Sequence, residues 1–185
     1  MKNVIISIFG EESKTYEAMS YLKGKRGTAQ VDCASIIKNV NGHITLQDGF
    51  GDDIDDHWAA GGLIGALVGL IGGPIGMLLG GSLGMLIGGS VDLSDADSND
   101  SVIRQVIGNL GNYKLALVIV ADEVSSNELD EFLQNHGASE IIRESYAEVK
   151  SEILEAQSVE KEMARDTKRR LKEERKKAKA NKTIS

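Results

Sequence analysis

The stretch that decides the fold of this chain is WAAGGLIGALVGLIGGPIGMLLGGSLGMLIGGS, from Trp58 to Ser90. It contains no Asp, Glu, Lys, Arg or His, and it holds 12 of the 21 glycines of the chain. Glycine every fourth residue lets two helix backbones approach closely, which predicts a glycine zipper. Its helix-packing positions form two series: Gly61, Gly65, Gly69 and Gly73, and then Gly72, Gly76, Gly80, Gly84 and Gly88.

Pro74 divides this stretch into two arms. Because proline suits the first turn of a helix, the sequence predicts a helical hairpin that turns at Pro74. Each arm of about 15 residues would be about 23 Å long, whereas the apolar core of a bilayer is about 30 Å thick. The uncharged length, with Trp58 placed as an interfacial anchor, favours insertion into or against a membrane. In the alternative, hairpins from several chains bury one another in a soluble homo-oligomer.

Outside the zipper, the pattern is that of an α+β domain. Asn41-Gly42 predicts a tight hairpin turn, and the apolar run LALVIVA at 115–121 predicts a central strand. The order β-α-β-β, helical hairpin insert, α-β-α-β predicts a ferredoxin-like fold with one extra helix–strand unit. The predicted strands are 3–9, 28–39, 43–47, 115–121 and 140–143, and the predicted helices are 12–23, 99–110 and 125–136.

Local signals define the ends of these helices. Asn99 or Asp100 is predicted to cap the second helix, and Ser125 with Glu128 forms a capping-box pattern before the third. Gly137 follows that helix where a C-terminal glycine is expected.

The chain divides into three parts. Residues 1–47 and 101–145 form the α+β body, residues 48–100 form the inserted hairpin with acidic flanks, and residues 146–185 form a C-terminal helix with a basic tail. A heptad seam near the start of that helix predicts a short coiled-coil contact. Its residues are Tyr146, Val149, Ile153, Ala156 and Met163.

The net charge of −7 is unevenly distributed. Residues 1–160 carry 10 Lys/Arg and 24 Asp/Glu, whereas residues 161–185 carry 11 and 4. The basic tail is predicted to contact an anionic partner through Lys168, Arg169, Arg170, Lys172, Arg175, Lys176 and Lys177. Anionic lipid is favoured over nucleic acid, because no aromatic residue follows Tyr146 for base stacking. In the alternative without a partner, the tail is a solvated helix end that keeps the protein soluble.

No pattern in the sequence predicts catalysis, a cofactor, a metal site or a small-molecule substrate. Asp95, Asp97 and Asn99 match the opening of a calcium-binding loop, but Asp100 and Val106 stand where that loop needs Gly and Glu. The single cysteine, Cys33, lies on a predicted strand and is interpreted as a core thiol.

The α+β pattern, the hairpin with its GGP turn and the LALVIVA strand together resemble a bacterial domain-of-unknown-function family of predicted membrane proteins, related to general-stress-protein-like domains. The resemblance spans about residues 1–145 and implies membrane association. The sequence thus predicts a non-enzymatic, stress-related protein that self-associates through its hairpin at the cytoplasmic membrane. With no signal peptide expected, both termini would lie on the cytoplasmic side; the alternative is a soluble cytoplasmic oligomer.

Overall fold

The computed structural model describes residues 1–24, 31–41, 43–51, 60–73, 101–111 and 114–182. Within these ranges, the side chains of residues 60, 61 and 177–182 are outside the description. The elements are β1 (Lys2–Phe9), α1 (Glu12–Gly24), β2 (Val31–Val40), β3 (His43–Phe50), α2 (Ala60–Gly72), α3 (Val102–Asn109), β4 (Leu115–Asp122), α4 (Asn127–Asn135), β5 (Ala138–Ser145) and α5 (Tyr146–Lys182). The predicted α+β class is confirmed.

The strands form one antiparallel sheet in the order β3-β2-β4-β1-β5. The apolar run on β4 is buried from Leu115 to Ala121, and this strand is central, as its lack of polar alternation predicts. The turn between β2 and β3 has Asn41 at a φ of 54°, and Val40 pairs with His43 across it. The predicted two-residue hairpin connection is therefore confirmed.

Helices cover both faces of the sheet because side chains alternate along each buried strand. On β1, Val4, Ile6 and Ile8 face the layer that contains α2, α3 and α5. Ile5 and Phe9 face the opposite layer, which contains α1 and α4. The core therefore lies in two halves on either side of the sheet.

The ends of the helices differ in part from prediction. Ser101 caps α3, with its Oγ accepting a hydrogen bond from the Arg104 amide, so the cap predicted at Asn99 or Asp100 is wrong. Ser126 precedes α4 without a side-chain cap, whereas the Ser125 Oγ accepts a hydrogen bond of 3.4 Å from the Asn127 amide. The serine part of the predicted capping box is therefore found, at a helix that begins at Asn127. Gly137 has a φ of +87° after α4, which is the conformation expected of a C-terminal glycine.

Helix α5 follows β5 directly and is helical through Lys182. Val149 and Ile153 of the predicted seam are buried against the sheet, with Tyr146, Ala156 and Val159 partly buried around them. The coiled-coil contact predicted for the seam is corrected at Val149 and Ile153, because the body of the same chain already buries these two side chains. Met163, the last residue of the predicted seam, is partly buried, and a contact there stays a prediction.

A candidate association surface on helix α2

One face of α2 is part of the hydrophobic core. Five Leu and Ile side chains on this face are at most 5% exposed: Leu63, Ile64, Leu67, Leu70 and Ile71. They belong to the cluster that also contains buried residues of β2, α3 and α5. Burying each such side chain contributes about 1.5–3 kcal/mol, so α2 is held firmly on the sheet.

This packing differs from that of a membrane arm. The apolar side chains expected to face lipid are instead covered by protein, and pulling them out would expose the sheet beneath. Over the residues that the structure describes, every helix is too short or too polar to cross a bilayer.

The opposite side of α2 carries Gly62, Gly65 and Gly69, all exposed. We call these three residues the glycine face. A Cβ built at Gly65 or Gly69 would meet no described heavy atom within 4 Å. Since α2 contains no charged residue, the glycine face is an open, uncharged strip of helix backbone.

Two further glycines at the end of α2 have a different environment. A Cβ at Gly72 would lie 3.3 Å from the Cβ of Ile44 on β3. A Cβ at Gly73 would lie 2.6 Å from the carbonyl oxygen of Gly69. The packing of the chain itself therefore restricts a side chain at these positions, whereas at Gly65 and Gly69 nothing described does so.

Several predicted positions lie outside the described residues. They are Trp58, Pro74, Gly76, Gly80, Gly84 and Gly88. Gly61 lies on α2, but its surroundings are outside the description. The hairpin turn, the second arm and the interfacial anchor accordingly stay predictions.

Glu152 on α5 fixes the start of α3. Its Oε2 accepts a hydrogen bond of 3.0 Å from the Val102 amide, and its Oε1 accepts one of 3.1 Å from the Ile103 amide. The hydroxyl of Ser101 also donates to this carboxylate. An anion at the positive end of α3 is electrostatically favourable. Sequence reasoning missed this contact, because nothing local relates residues about 50 positions apart.

The structure sorts the predicted basic tail into two groups. Lys168, Lys172, Arg175 and Lys176 are exposed on α5. Arg169 and Arg170 are exposed as well, and they also pair with Asp166, at 2.8 and 3.2 Å. The side chain of Lys177 is outside the description.

Arg143 on β5 pairs with two carboxylates. Its guanidinium donates to Asp130 at 2.6 and 3.0 Å and to Glu123 at 3.0 and 3.2 Å. Burial acts to lower the pKa of Arg143, but these hydrogen bonds outweigh it and raise the pKa. Arg143 also lines an open groove of about 440 Å³ between α4 and β5. Its ion pair with Asp130 links these two elements.

The single cysteine of the chain, Cys33, is buried on β2. Burial, with the nearby negative charge of Asp32, raises the pKa of the Cys33 thiol to about 12. This agrees with the interpretation of Cys33 as a core thiol, because a neutral thiol is a poor nucleophile. No group of three or more His, Cys, Asp or Glu among the described residues is placed to hold a metal ion.

The fold is that of an α+β protein with a glycine-rich helix packed on its sheet. Residues 59–173 match the family model described as "Protein of unknown function (DUF1269)". Since the match covers more than half of the 185 residues, the chain belongs to this family. The chain matches no curated protein and no solved structure.

The extent of the family match differs from that of the predicted resemblance. It begins at the start of the glycine-rich stretch and leaves out β1, β2 and β3. It also includes α5 as far as residue 173, which the predicted span of 1–145 left out. The relation to general-stress-protein-like domains stays a prediction.

Proposed function

We propose that this chain is a non-enzymatic protein that self-associates through the glycine face of α2. The single observation that carries the proposal is the open surface at Gly65 and Gly69, on a helix whose other face is buried in the core. The partner would be the glycine-rich helix of a second copy, packed backbone to backbone.

The energetics of glycine support a partner on this face. In an exposed helix interior, each glycine costs roughly 1 kcal/mol relative to alanine. Nothing described near Gly65 or Gly69 offsets that cost within the single chain. Close approach of a second helix would offset it through dispersion and Cα–H···O contacts along the strip.

Between the two settings predicted from the sequence, the packing of α2 favours a shared core between copies over a bilayer. Bilayer insertion of α2 would remove Leu63, Leu67 and Leu70 from the sheet. Association through the glycine face leaves that burial intact.

A membrane-associated form is the second candidate, and it rests on the uncharged sequence of residues 74–90. In this form, that segment would contact lipid while α2 stays on the body. Cell fractionation tests it: recovery in the membrane fraction, released by detergent and not by high salt, would support this candidate over the first.

The test of self-association replaces the open glycines by leucine in the full chain. The Gly65→Leu/Gly69→Leu variant should lose the oligomer, with association at least about tenfold weaker, because the added side chains hold the backbones apart. The matched control is Gly108→Leu on α3, which is also exposed with nothing within 4 Å of its Cβ. Mass would be measured by light scattering over a concentration series.

Alanine at the same positions tests whether the glycines are needed for association or are only tolerated in the helix. Gly65→Ala/Gly69→Ala should raise the free energy of unfolding of the monomer by roughly 1–2 kcal/mol, because alanine favours the helix. It should weaken association at the same time. A monomeric wild-type chain, or an oligomer that survives the leucine variant, would refute the proposed function.

We also infer that the body is a ferredoxin-like unit with an added edge strand. The segments β1-α1-β2 and β4-α4-β5, with the spatial order β5-β1-β4-β2, correspond to that arrangement. Strand β3 would then be the addition that leads into α2.

A further inference from the structure

The outer part of α5 presents its basic residues in an ordered way. Beyond Met163, every residue with a described side chain is exposed except Asp166, which is partly buried. Six basic residues recur at helical spacing, on steps of three and four. They are Lys161, Arg165, Lys168, Lys172, Arg175 and Lys176, and we call them the cationic stripe. At 1.5 Å per residue the stripe is about 23 Å long.

The stripe is separated from the acidic residues of the same helix. At about 100° per residue, its six positions fall within an arc of about 100°. Glu162, Asp166 and Glu173 fall together on the flank next to this arc. Asp166 pairs with Arg169 and Arg170, which are not part of the stripe. Within the described part of the chain, no ion pair of 4 Å or less involves the six stripe residues.

The stripe is also directed away from the body. Val149, Ile153 and Ala156, which attach α5 to the core, centre about 120° around the helix from the stripe. A partner could therefore approach the stripe without touching the sheet. The charge balance of residues 1–160, with 10 basic and 24 acidic residues, would keep the body itself away from any anionic partner.

We propose that the cationic stripe docks α5 lengthwise on an anionic phospholipid surface. A flat surface contacts one side of a helix, and the stripe occupies one side of α5. A nucleic-acid groove surrounds more of the helix, and its phosphates would meet Glu162, Asp166 and Glu173 on the flank. Basic residues near an anionic leaflet each add to binding, and this attraction falls off within a Debye length. The proposal does not depend on self-association through α2.

The experiment measures binding of the full chain to two kinds of vesicle. One is phosphatidylcholine alone, and the other contains about a third phosphatidylserine, a lipid that supplies the negative surface potential. The quantity of interest is the increase in binding that the anionic lipid produces, because the uncharged segment 74–90 could bind either vesicle. This increase should decline steeply between low and high salt.

Two variants of equal net charge test the position of the charges. Arg165→Gln/Arg175→Gln removes two guanidinium groups from the stripe, and Arg169→Gln/Arg170→Gln removes two from outside it. The first should weaken the anionic increment roughly tenfold or more, and the second less than about threefold. Circular dichroism of both variants checks that the helix is retained. Lys168→Gln/Lys172→Gln should repeat the first result with lysines.

Three results would overturn the proposal. One is the same binding to both kinds of vesicle at low salt. Another is an equal loss for the two arginine variants, which would mean that net charge alone matters. The third is tighter binding to duplex DNA or RNA than to anionic vesicles, which would assign the stripe to nucleic acid.

Discussion

At the scale of single residues, Glu152 has the clearest structural role. Its carboxylate accepts two amide hydrogen bonds at the first turn of α3, and it lies on α5 beside the buried Ile153. Charge-assisted hydrogen bonds are about twice as strong as neutral ones. The two bonds of Glu152 join α5 to α3, which lie in the same layer. Glu152 thus fixes the start of α3 against α5.

Removal of this contact should lower stability measurably. Glu152→Ala should reduce the free energy of unfolding by about 2 kcal/mol, because two amide donors lose a charged acceptor. Glu152→Gln keeps an acceptor oxygen and should lose about half as much. The control is Glu155→Gln on the exposed side of α5, which should change stability by less than about 0.5 kcal/mol. Urea denaturation measures all three, and equal values for Glu152→Gln and Glu155→Gln would contradict the role of Glu152.

The glycines show what a repeat can and cannot predict. Their spacing of four correctly indicated a helix over residues 60–72. It assigned one role to Gly65, Gly69 and Gly73, yet only Gly73 is crowded by its own chain. A missing side chain has the same sequence pattern whether it accommodates a neighbour, a partner or neither. Only the surroundings of each position distinguish these cases.

At the scale of elements, α5 is divided into a packed half and a projecting half. Ile153 is fully buried whereas its neighbour Leu154 is 47% exposed. Ile153→Ala should therefore cost about 2–5 kcal/mol of stability, because it leaves a cavity in the core. Leu154→Ala should cost less than about 1 kcal/mol, since the side chain is half in water. Thermal and urea unfolding compare the two, and similar losses would mean that the seam does not pack on the sheet.

Helices α2 and α5 show where prediction from the sequence was incomplete. An uncharged Leu- and Ile-rich helix can pack equally well against lipid, a partner or its own sheet. The sequence of residues 60–72 therefore did not reveal which of these covers the helix. The apolar spacing on α5 is likewise compatible with a coiled coil or with the core. What covers each helix depends on the sheet, because the apolar face of the sheet must itself be covered by helices.

At the scale of the whole molecule, the order of elements along the chain could be predicted, but their order in space could not. Alternation and apolar runs located the strands, and the unbroken run on β4 indicated its central position. The placement of β1 between β4 and β5 depends on contacts over more than 100 residues, such as Ile5 with Ile119 and with Arg143. No local pattern carries that information.

This placement means that residues 59–173, the extent of the family match, should not fold alone. They contain β4 and β5, which β1 separates and which would otherwise stand about 10 Å apart with unpaired backbone groups. They also lack Ile5, Ile6 and Phe9, which are fully buried. The fragment 59–173 should show no cooperative thermal transition, whereas the fragment 1–173 should unfold cooperatively.

Addition of residues 1–51 as a separate peptide makes the prediction sharper. This peptide supplies β1, α1, β2 and β3, so mixing it with 59–173 should restore strand signal in circular dichroism and a cooperative transition. A peptide with Ile5→Asp/Ile6→Asp should fail to do so, because it places a charge on each side of the central sheet. Cooperative unfolding of 59–173 by itself would show instead that β4 and β5 can pair directly, and that β1–β3 are an addition to a smaller fold.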